Sequence, residues 1–364
     1  MDNLQPGRAR GRVVRPRVPS VDGMRRVVVT TCALAIAAAS SMMGGRASVA
    51  VPNVRDVAAA GQRSHYILVP RAGSPRYLVY TARSVDASGA KSSVTELYYR
   101  TRRGKPHEIA AVTALSGGYS MAGSILVYND VSDPNDPDAP LVNYWRDLAT
   151  GASGTLPQGG YRAAPTGWIS FDGEHVVTLT LHKIDGTTTN LGSPYPGGAG
   201  YDVIARGTRV VVSALNEGSV GSAKWMDMSN PGVFHTFVSK NHHGPGMARC
   251  SSMTTSRVAC SVTANNVQSM RLYTTSGKLT VNVTRDYPIG TPQVLDNSIA
   301  WIAQAGHRHN LRIATPDGTI RFTDRKFDPP FMATALGGVV VATKSRRHLV
   351  LFTSPTRSRT FAQS

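Results

Sequence analysis

Basic side chains suited to binding anions lie close together near the C-terminal end of the sequence. Arg346, Arg347 and His348 follow one another directly, and Arg308 lies between two histidines earlier in the chain. The planar guanidinium of arginine donates paired hydrogen bonds that match carboxylate and phosphate groups. If the fold brings these residues together, they form an anion-binding patch; the alternative is a pair of solvated basic loops.

A second group of residues has the chemistry of metal ligands. Asp133, Asp136 and Asp138 lie in one proline-containing segment, and carboxylate oxygens are the ligands that Ca²⁺ prefers. The segment lacks the glycine and the distal glutamate of an EF-hand loop, so an acidic, solubilising turn is the alternative. His307 and His309 form a His-x-His pattern, which on an extended segment points both rings to one side, as Zn²⁺ requires. The pattern also suits Cu²⁺, and exposed loop histidines are the alternative. Apart from Ca²⁺ or Zn²⁺ at these residues, no cofactor is expected.

The segment 118–122, Gly-Tyr-Ser-Met-Ala, looks like the strand-to-helix elbow that presents a nucleophilic serine in hydrolases. That elbow requires a helix directly after the serine. The residues that follow Ser120 instead form an apolar run, Ile125–Asn129, which is typical of a strand. We therefore predict no catalytic serine here, and no catalytic residue is assigned elsewhere.

These candidate residues have to be positioned by a fold of short strands. Seven apolar, β-branched runs recur, and equivalent residues in successive runs are 41 to 47 positions apart. The runs are Tyr77–Thr81, Ile125–Asn129, Trp168–Asp172, Val210–Ala214, Val258–Val262, Ile299–Ala303 and Val339–Thr343. Periods of about 40–45 residues built from four short strands are typical of the blades of a propeller.

The residues around each run complete a four-stranded unit. One strand precedes the run, and after the run come a loop, a third strand, a tight turn and a short fourth strand. The turns contain pairs such as Asp185-Gly186 and Asp317-Gly318, in which glycine accepts a positive φ. We name the strands A to D, with the apolar run as B. The sequence therefore predicts an all-β fold, a β-propeller of seven four-stranded blades over residues 65–362.

The units resemble those of TolB-like and WD-repeat β-propellers in their order of strand, loop, strand, Asp-Gly turn and strand. The clearest example runs from Ser298–Trp301 through Leu311–Ile313 to Pro316–Thr319. The Trp-Asp dipeptide of WD repeats is absent, and Thr-Pro-Asp-Gly at 315–318 occupies a C–D turn. The resemblance covers about 65–362. It implies a propeller of an exported bacterial protein of the actinobacterial type, and it specifies no partner.

The N-terminal region has the pattern of a secretion signal. Two arginines at 25–26 precede an uncharged stretch over 27–43, and small residues occupy the −3 and −1 positions of a cleavage site after Ala50. We predict a signal peptide over 24–50. The uncharged stretch, about 17 residues, is short for a hydrocarbon core of about 30 Å, so an uncleaved membrane anchor is the alternative. The paired arginines also suit the twin-arginine export route.

Residues 1–23 are rich in arginine and proline and show no apolar periodicity. They are expected to be a disordered basic extension, or to precede the true start at Met24. Residues 51–64 are expected to be a linker between the signal and the propeller. The mature protein is accordingly predicted to be secreted or associated with the outer side of the cell envelope.

Removal of the signal discards Cys32 and leaves two cysteines, Cys250 and Cys260. An even number of cysteines in an exported chain indicates a disulfide bond. The pair falls on strands A and B of the fifth unit, and neighbouring antiparallel strands bring Cα atoms within the range of a disulfide. We therefore predict a bond that joins two strands of one blade.

The chain is strongly basic, with a net charge of +18, and residues 51–364 retain 32 basic and 20 acidic residues, a net charge of +12. This excess predicts attraction to anionic surfaces. The basic residues are scattered rather than grouped on one element, which argues against a nucleic-acid partner.

Alternating strand directions place the B–C and D–A loops on one face of the propeller and the small A–B and C–D turns on the other. Functional residues are therefore expected on the B–C/D–A face.

These observations favour an exported, non-enzymatic propeller that binds a protein or an anionic polysaccharide or other envelope polymer through its B–C/D–A face. The alternative is a metal-assisted lyase or hydrolase with a site over the propeller channel, based on the histidines and the aspartate segment. Membrane contact is expected only if the signal remains uncleaved.

Overall fold

A computed structural model describes residues 65–86, 88–92, 95–113, 117–131, 139–172, 178–195, 200–215, 222–238, 247–264, 267–284, 288–305, 308–343, 345–354 and 357–362. Every regular element in these ranges is a β-strand, and the strands are numbered β1 to β27 in chain order. Within the same ranges, no helix of the length and apolarity needed to span a bilayer is found.

The strands form seven four-stranded blades, each built from consecutive strands in the order A, B, C, D. The first four blades have the following bounds. Blade 1 contains β1 (His65–Gly73), β2 (Tyr77–Val85), β3 (Thr95–Thr101) and β4 (His107–Val112); blade 2 contains β5 (Gly117–Ala122), β6 (Ile125–Val131), β7 (Leu141–Asp147) and β8 (Ser153–Leu156); blade 3 contains β9 (Gly160–Ala164), β10 (Gly167–Asp172), β11 (Thr178–Lys183) and β12 (Thr188–Gly192); blade 4 contains β13 (Gly200–Arg206), β14 (Arg209–Leu215), β15 (Ala223–Asp227) and β16 (His235–Val238).

The last three blades follow the same order, and blades 6 and 7 share one long strand. Blade 5 contains β17 (Met247–Met253), β18 (Arg257–Ala264), β19 (Val267–Thr274) and β20 (Leu279–Val283); blade 6 contains β21 (Pro288–Leu295), β22 (Ser298–Ala305), β23 (Arg308–Ala314) and the first part of β24 (Ile320–Ala335); blade 7 contains the second part of β24, β25 (Gly338–Thr343), β26 (His348–Ser354) and β27 (Arg357–Ala362). The first part of β24 pairs with β23, and its second part pairs with β25. No D–A loop therefore separates these two blades.

The predicted seven-bladed propeller is confirmed. All seven apolar runs are the second strands of their blades, from Tyr77–Thr81 in β2 to Val339–Thr343 in β25. The predicted C–D turns also lie between the third and fourth strands. Gly186 and Gly318 in two of these turns have φ values of 86° and 82°, the left-handed conformation that favours glycine.

The hydrophobic core is divided among the junctions between blades. Seven clusters of buried side chains are present, and each joins one pair of neighbouring blades. Residues of the B strands, such as Leu78, Ile169 and Trp301, are completely buried because both faces of a blade are covered. This arrangement explains why the B runs are apolar throughout rather than alternating.

The ring is closed where blade 1 packs against blade 7. Leu78 and Tyr80 of blade 1 share a buried cluster with Val340 and Leu351 of blade 7. Two backbone hydrogen bonds cross this junction, one of them from the Leu336 amide to the Ser74 carbonyl at 2.7 Å. Blade 7 takes its outermost strand, β27, from the C-terminal segment. The expected linker over 51–64 lies outside the described residues.

The predicted disulfide bond between Cys250 and Cys260 is present. The two residues are direct cross-strand partners on β17 and β18, with Cα atoms 3.9 Å apart. Both are completely buried in the cluster between blades 4 and 5. The bond therefore joins the two innermost strands of blade 5 within the core.

Candidate functional site

The A strands of all seven blades surround a central cavity of about 370 Å³. Each blade contributes at least one lining residue, so the cavity is the propeller channel. Its ionised side chains are four arginines and one aspartate: Arg71, Arg162, Arg206, Arg249 and Asp202. The lining therefore carries an excess of three positive charges.

Asp202 is paired with two of the four arginines. Its Oδ1 accepts a hydrogen bond from Arg162 of blade 3 at 3.4 Å, and its Oδ2 accepts one from Arg249 of blade 5 at 3.0 Å. The Asp202 side chain is 13% exposed, whereas that of Arg249 is 50% exposed. One carboxylate thus neutralises one of two guanidinium groups, and the other positive charge remains available to a ligand.

Arg71 lies on blade 1 beside the aromatic ring of Tyr119 from blade 2. Its Nε donates a hydrogen bond to Thr81 Oγ1 at 3.1 Å, and its guanidinium carbon is 5.3 Å from the Tyr119 ring centroid. Burial lowers the pKa of Arg71, Tyr119 counteracts this effect, and the positive charge of Arg346 lowers the pKa further. Arg346 is therefore close enough to act electrostatically on the channel.

Arg206 is the last residue of β13 and lies at the end of the channel next to the A–B turns. Its Nη2 donates to the Gly73 carbonyl of blade 1 at 3.1 Å, and its Nε donates to the Met253 carbonyl of blade 5 at 3.3 Å. Blades 1 and 4 are not neighbours in the ring, so the first bond crosses the channel. Arg206 is 9% exposed, and burial lowers its pKa to about 10.

The charge of Arg206 is not compensated within the described part of the chain. No carboxylate of the described residues is paired with it, and its buried Nη1 has no hydrogen-bond partner among them. A buried, unpaired guanidinium is energetically unfavourable unless a ligand or a partner supplies the missing acceptor.

Polar side chains from blades 5, 6 and 7 complete the same end of the channel. Ser252 Oγ and Thr334 Oγ1 are 2.5 Å apart, which joins blade 5 to blade 7 across blade 6. Gln293 Oε1 accepts hydrogen bonds from the Thr334 amide at 2.9 Å and its hydroxyl at 3.0 Å. We call Arg206, Ser252, Gln293 and Thr334 the channel floor.

The structure places the predicted anion-binding residues at different distances from this channel. Arg346 has a φ of 55°, and its carbonyl accepts a hydrogen bond from Leu68 of blade 1 at 2.7 Å, which fixes it at the blade 1–7 junction. Arg347 is exposed in the same B–C loop, and His348 begins β26. Arg308 is the first residue of β23. The positive charge of Arg346 acts on a channel residue, Arg71.

The predicted metal ligands remain a hypothesis. Asp133, Asp136, Asp138 and His307 lie outside the described residues, while His309 is a partly buried residue of β23 that pairs with Gln304. Within the described ranges, no three His, Cys, Asp or Glu side chains are grouped so that they could hold a metal ion.

The described serines that could suggest hydrolase chemistry have structural contacts. Ser120 lies in β5, and its Oγ accepts a hydrogen bond from the Ala163 amide of blade 3 at 2.9 Å. The Ser170 hydroxyl is 2.8 Å from His182 Nε2, but this pair lies on β10 and β11 beside Trp168 and does not line the cavity. Ser120 therefore joins two blades, and the Ser170–His182 pair has no access to the channel.

The four channel arginines were not predicted from the sequence, although the sequence contains a signal for them. Three of them interrupt an A strand whose other residues are small, apolar or uncharged, as in Tyr-Arg-Ala-Ala at 161–164, and Arg206 ends an A strand whose other charged residue is Asp202. The A strand is the innermost strand of a blade. A cation that recurs in this strand therefore indicates a charged channel.

Comparison with known proteins gives the fold and no family. No protein-family model and no curated protein matches the chain. A prolyl endopeptidase structure is similar with a TM-score of 0.58 and 12% identity, covering 82% of this chain and 50% of that one, so the chain spans about half of the endopeptidase. The β-propeller domain of the Trilobed protease from Pyrococcus furiosus, which has an open velcro topology, gives a TM-score of 0.53 with 11% identity, covering 82% and 98% of the two chains. TolB from Acinetobacter baumannii gives 0.40 with 14% identity over 72% and 64%.

Proposed function

We propose that the protein is an exported, non-enzymatic binding propeller that takes an acidic segment of a partner protein at the B–C/D–A end of its channel. The observation that carries this proposal is the charge of the channel, which has four arginines against one aspartate. Propellers commonly serve as scaffolds for protein binding, and a ring of blades presents many loops around one opening.

The charge distribution supports an acidic ligand. Arg249 is half exposed although it is paired with Asp202, and Arg346 adds positive charge close to Arg71. Arginine suits this role because its guanidinium group remains protonated and binds carboxylates through two parallel hydrogen bonds. Complementary charge of this kind also accelerates association with an acidic partner.

Export is supported by two independent features. The sequence has a signal-like N-terminal region, and the two cysteines that would remain after cleavage form a buried disulfide bond. Disulfide bonds persist in oxidising compartments such as the cell exterior.

We do not propose a peptidase function for this protein. The prolyl endopeptidase and the Trilobed protease domain are peptidase structures, but identities of 11–12% establish a shared fold and no shared activity. Serine residues line the described cavity, but none of its lining residues is a histidine that could activate them.

The proposal can be tested with the purified protein and a fluorescein-labelled hexaglutamate that ends in an amide. Fluorescence anisotropy should detect binding that weakens as ionic strength rises. The double variant R346A/R347A removes two cations from the B–C/D–A face and should weaken binding about five- to tenfold, as expected for two partly exposed charge contacts.

The chain provides a matched control for this variant. Arg102 and Arg103 are adjacent, exposed arginines in the C–D turn of blade 1, on the opposite face. R102A/R103A removes the same charge and should leave hexaglutamate binding unchanged. Equal losses in both double variants would contradict a face-specific site. Tighter binding of hyaluronate than of hexaglutamate would identify an anionic polysaccharide as the partner and overturn the protein assignment.

A further inference from the structure

We infer that the channel is a blind pocket for the free C-terminal carboxylate of an extended peptide, with Arg206 on the channel floor as its charge partner. This inference rests on the proposed function and specifies which part of the partner enters the channel. It also assigns to Arg206 a binding role in addition to its contacts with two blades.

Two side-chain contacts span the channel at the end where Arg206 lies. The Arg206 side chain reaches from blade 4 to the Gly73 carbonyl of blade 1, and the Ser252–Thr334 contact joins blades 5 and 7. Both contacts connect blades that are not neighbours, so side chains cross the channel here. A ligand that enters from the B–C/D–A face therefore ends at this floor.

The volume of the cavity limits the ligand to a small molecule or the end of a single extended chain. Its volume of about 370 Å³ is at the lower end of the range of small-ligand pockets, about 300–1,000 Å³. An extended chain end of a few residues fits such a space, whereas a folded domain does not. A peptide loop would have to enter and return through the same opening, which requires twice the cross-section of a single chain.

The charge of the lining determines which chain end is accepted. Four arginines and one already paired aspartate would repel the ammonium group of an N-terminus and attract the carboxylate of a C-terminus. Arg206 in particular is a buried cation that lacks a carboxylate partner among the described residues, and its Nη1 lacks an acceptor among them. A carboxylate supplies both the missing charge and the missing acceptor.

Asp202 lies nearer the opening and has a different role. It is four residues before Arg206 on β13, a distance of about 13 Å along an extended strand. Since it holds Arg162 and Arg249, it positions these two arginines beside the path of the peptide. The opening therefore receives acidic side chains, and the floor receives the terminal carboxylate.

The test compares two labelled hexaglutamates that differ only at the C-terminus, one with a free carboxylate and one with an amide. The free acid should bind the purified protein about tenfold more tightly than the amide, as expected for one added charge-assisted hydrogen-bonded pair. Arg206→Met should remove this difference, and because it also removes one cation of the cavity lining, it should weaken binding of the amide by about threefold. Arg206→Lys keeps the charge without the guanidinium fork and should retain part of the difference.

Each outcome separates this inference from the proposed function. Equal binding of the free acid and the amide would overturn this inference, while binding of the amide would still support the proposed site for an acidic segment. If neither peptide binds, this inference and the proposed function are both overturned. A preference for the acid that survives in Arg206→Met would place the carboxylate elsewhere. Succinate that binds as tightly as the free acid would show a small-molecule pocket instead of a chain-end pocket. Circular dichroism of both Arg206 variants establishes that they are folded.

Discussion

Replacement of Arg206 by methionine is expected to change the free energy of unfolding by less than about 1 kcal/mol at neutral pH, since two opposing contributions of similar size are removed together. This is an unusual expectation for a side chain that is 9% exposed and hydrogen-bonded to two other blades. Truncation of a buried residue with such contacts commonly costs several kcal/mol.

The magnitude follows from the charge and the hydrogen bonds of the side chain. Burial lowers the pKa of Arg206 to about 10, and at about 1.4 kcal/mol per pH unit the folded protein disfavours the cation by about 3 kcal/mol. Methionine removes this penalty and retains most of the apolar packing of the stem. It also removes the bonds to the Gly73 and Met253 carbonyls, each contributing about 1.5 kcal/mol as a bond to a charged group.

The same reasoning predicts how the difference depends on pH. The pKa of Arg206 is lower in the folded than in the unfolded protein, so the penalty is fully present below about pH 10 and decreases as pH rises above it towards the pKa of the unfolded chain. The stability of wild type relative to Arg206→Met should therefore be constant from neutral pH to about pH 9 and should rise above about pH 10. Other groups that titrate in alkali are common to both proteins and cancel in the difference.

Urea denaturation followed by circular dichroism at several pH values measures this difference. Arg76→Met is the matched control, because Arg76 is an exposed arginine and its replacement removes the same charge. The control should change the free energy of unfolding by less than about 0.5 kcal/mol, as is usual for a surface substitution. A loss of more than about 3 kcal/mol in Arg206→Met, independent of pH, would refute the reasoning and identify Arg206 as a structural clamp.

Three further changes test the channel, the disulfide and the ring. Asp202→Asn should tighten binding of hexaglutamate amide about threefold, since it removes the one carboxylate of the described cavity lining; unchanged anisotropy titrations would show that lining charge does not govern affinity. The double substitution of Cys250 and Cys260 by alanine should lower the free energy of unfolding by about 2.7 kcal/mol, the loop-entropy value for their separation of 10 residues. A loss below about 1 kcal/mol in urea denaturation would mean that strand pairing alone restricts this loop. Gly73→Ala should lower the thermal midpoint, because its methyl carbon would lie 2.2 Å from the Ala335 Cβ of blade 7. A cost of about 1 kcal/mol lowers the midpoint by about 4–8 °C in a small domain and by less in one of this size. An unchanged midpoint would show that the junction between blades 1 and 7 can adjust.

The architecture could be predicted from the sequence because its signals are local and repeated. An apolar run such as Val210–Ala214 is buried on both faces in every blade, so its composition identifies the B strand without knowledge of its neighbours. The turn glycines depend only on backbone conformation. The cysteine pair could be placed because strands A and B are consecutive and antiparallel, which fixes their proximity.

The channel could not be predicted in the same way, because the direction of its side chains depends on irregularities in the A strands. The register of β1 shifts at Arg71, between Pro70 and Ala72, and that of β17 shifts at Ser251. Both shifted residues line the cavity. Counting alternate residues therefore fails to show which side chains face the axis. The contact of Arg206 with Gly73 links residues 133 positions apart, a separation that no local pattern encodes.

The uninterrupted strand β24 has a consequence for how the ring comes apart. Its 16 residues supply the outermost strand of blade 6 and the innermost strand of blade 7, so neither blade can lose its ladder without releasing a strand of the other. Blades 6 and 7 should therefore open as one cooperative unit in hydrogen exchange. Because blade 7 also packs against blade 1, opening of this double unit would remove one wall of the junction where the two ends of the propeller meet. The unfolding of the ring is thus expected to begin with a segment of two blades, which couples the integrity of the channel to a single strand.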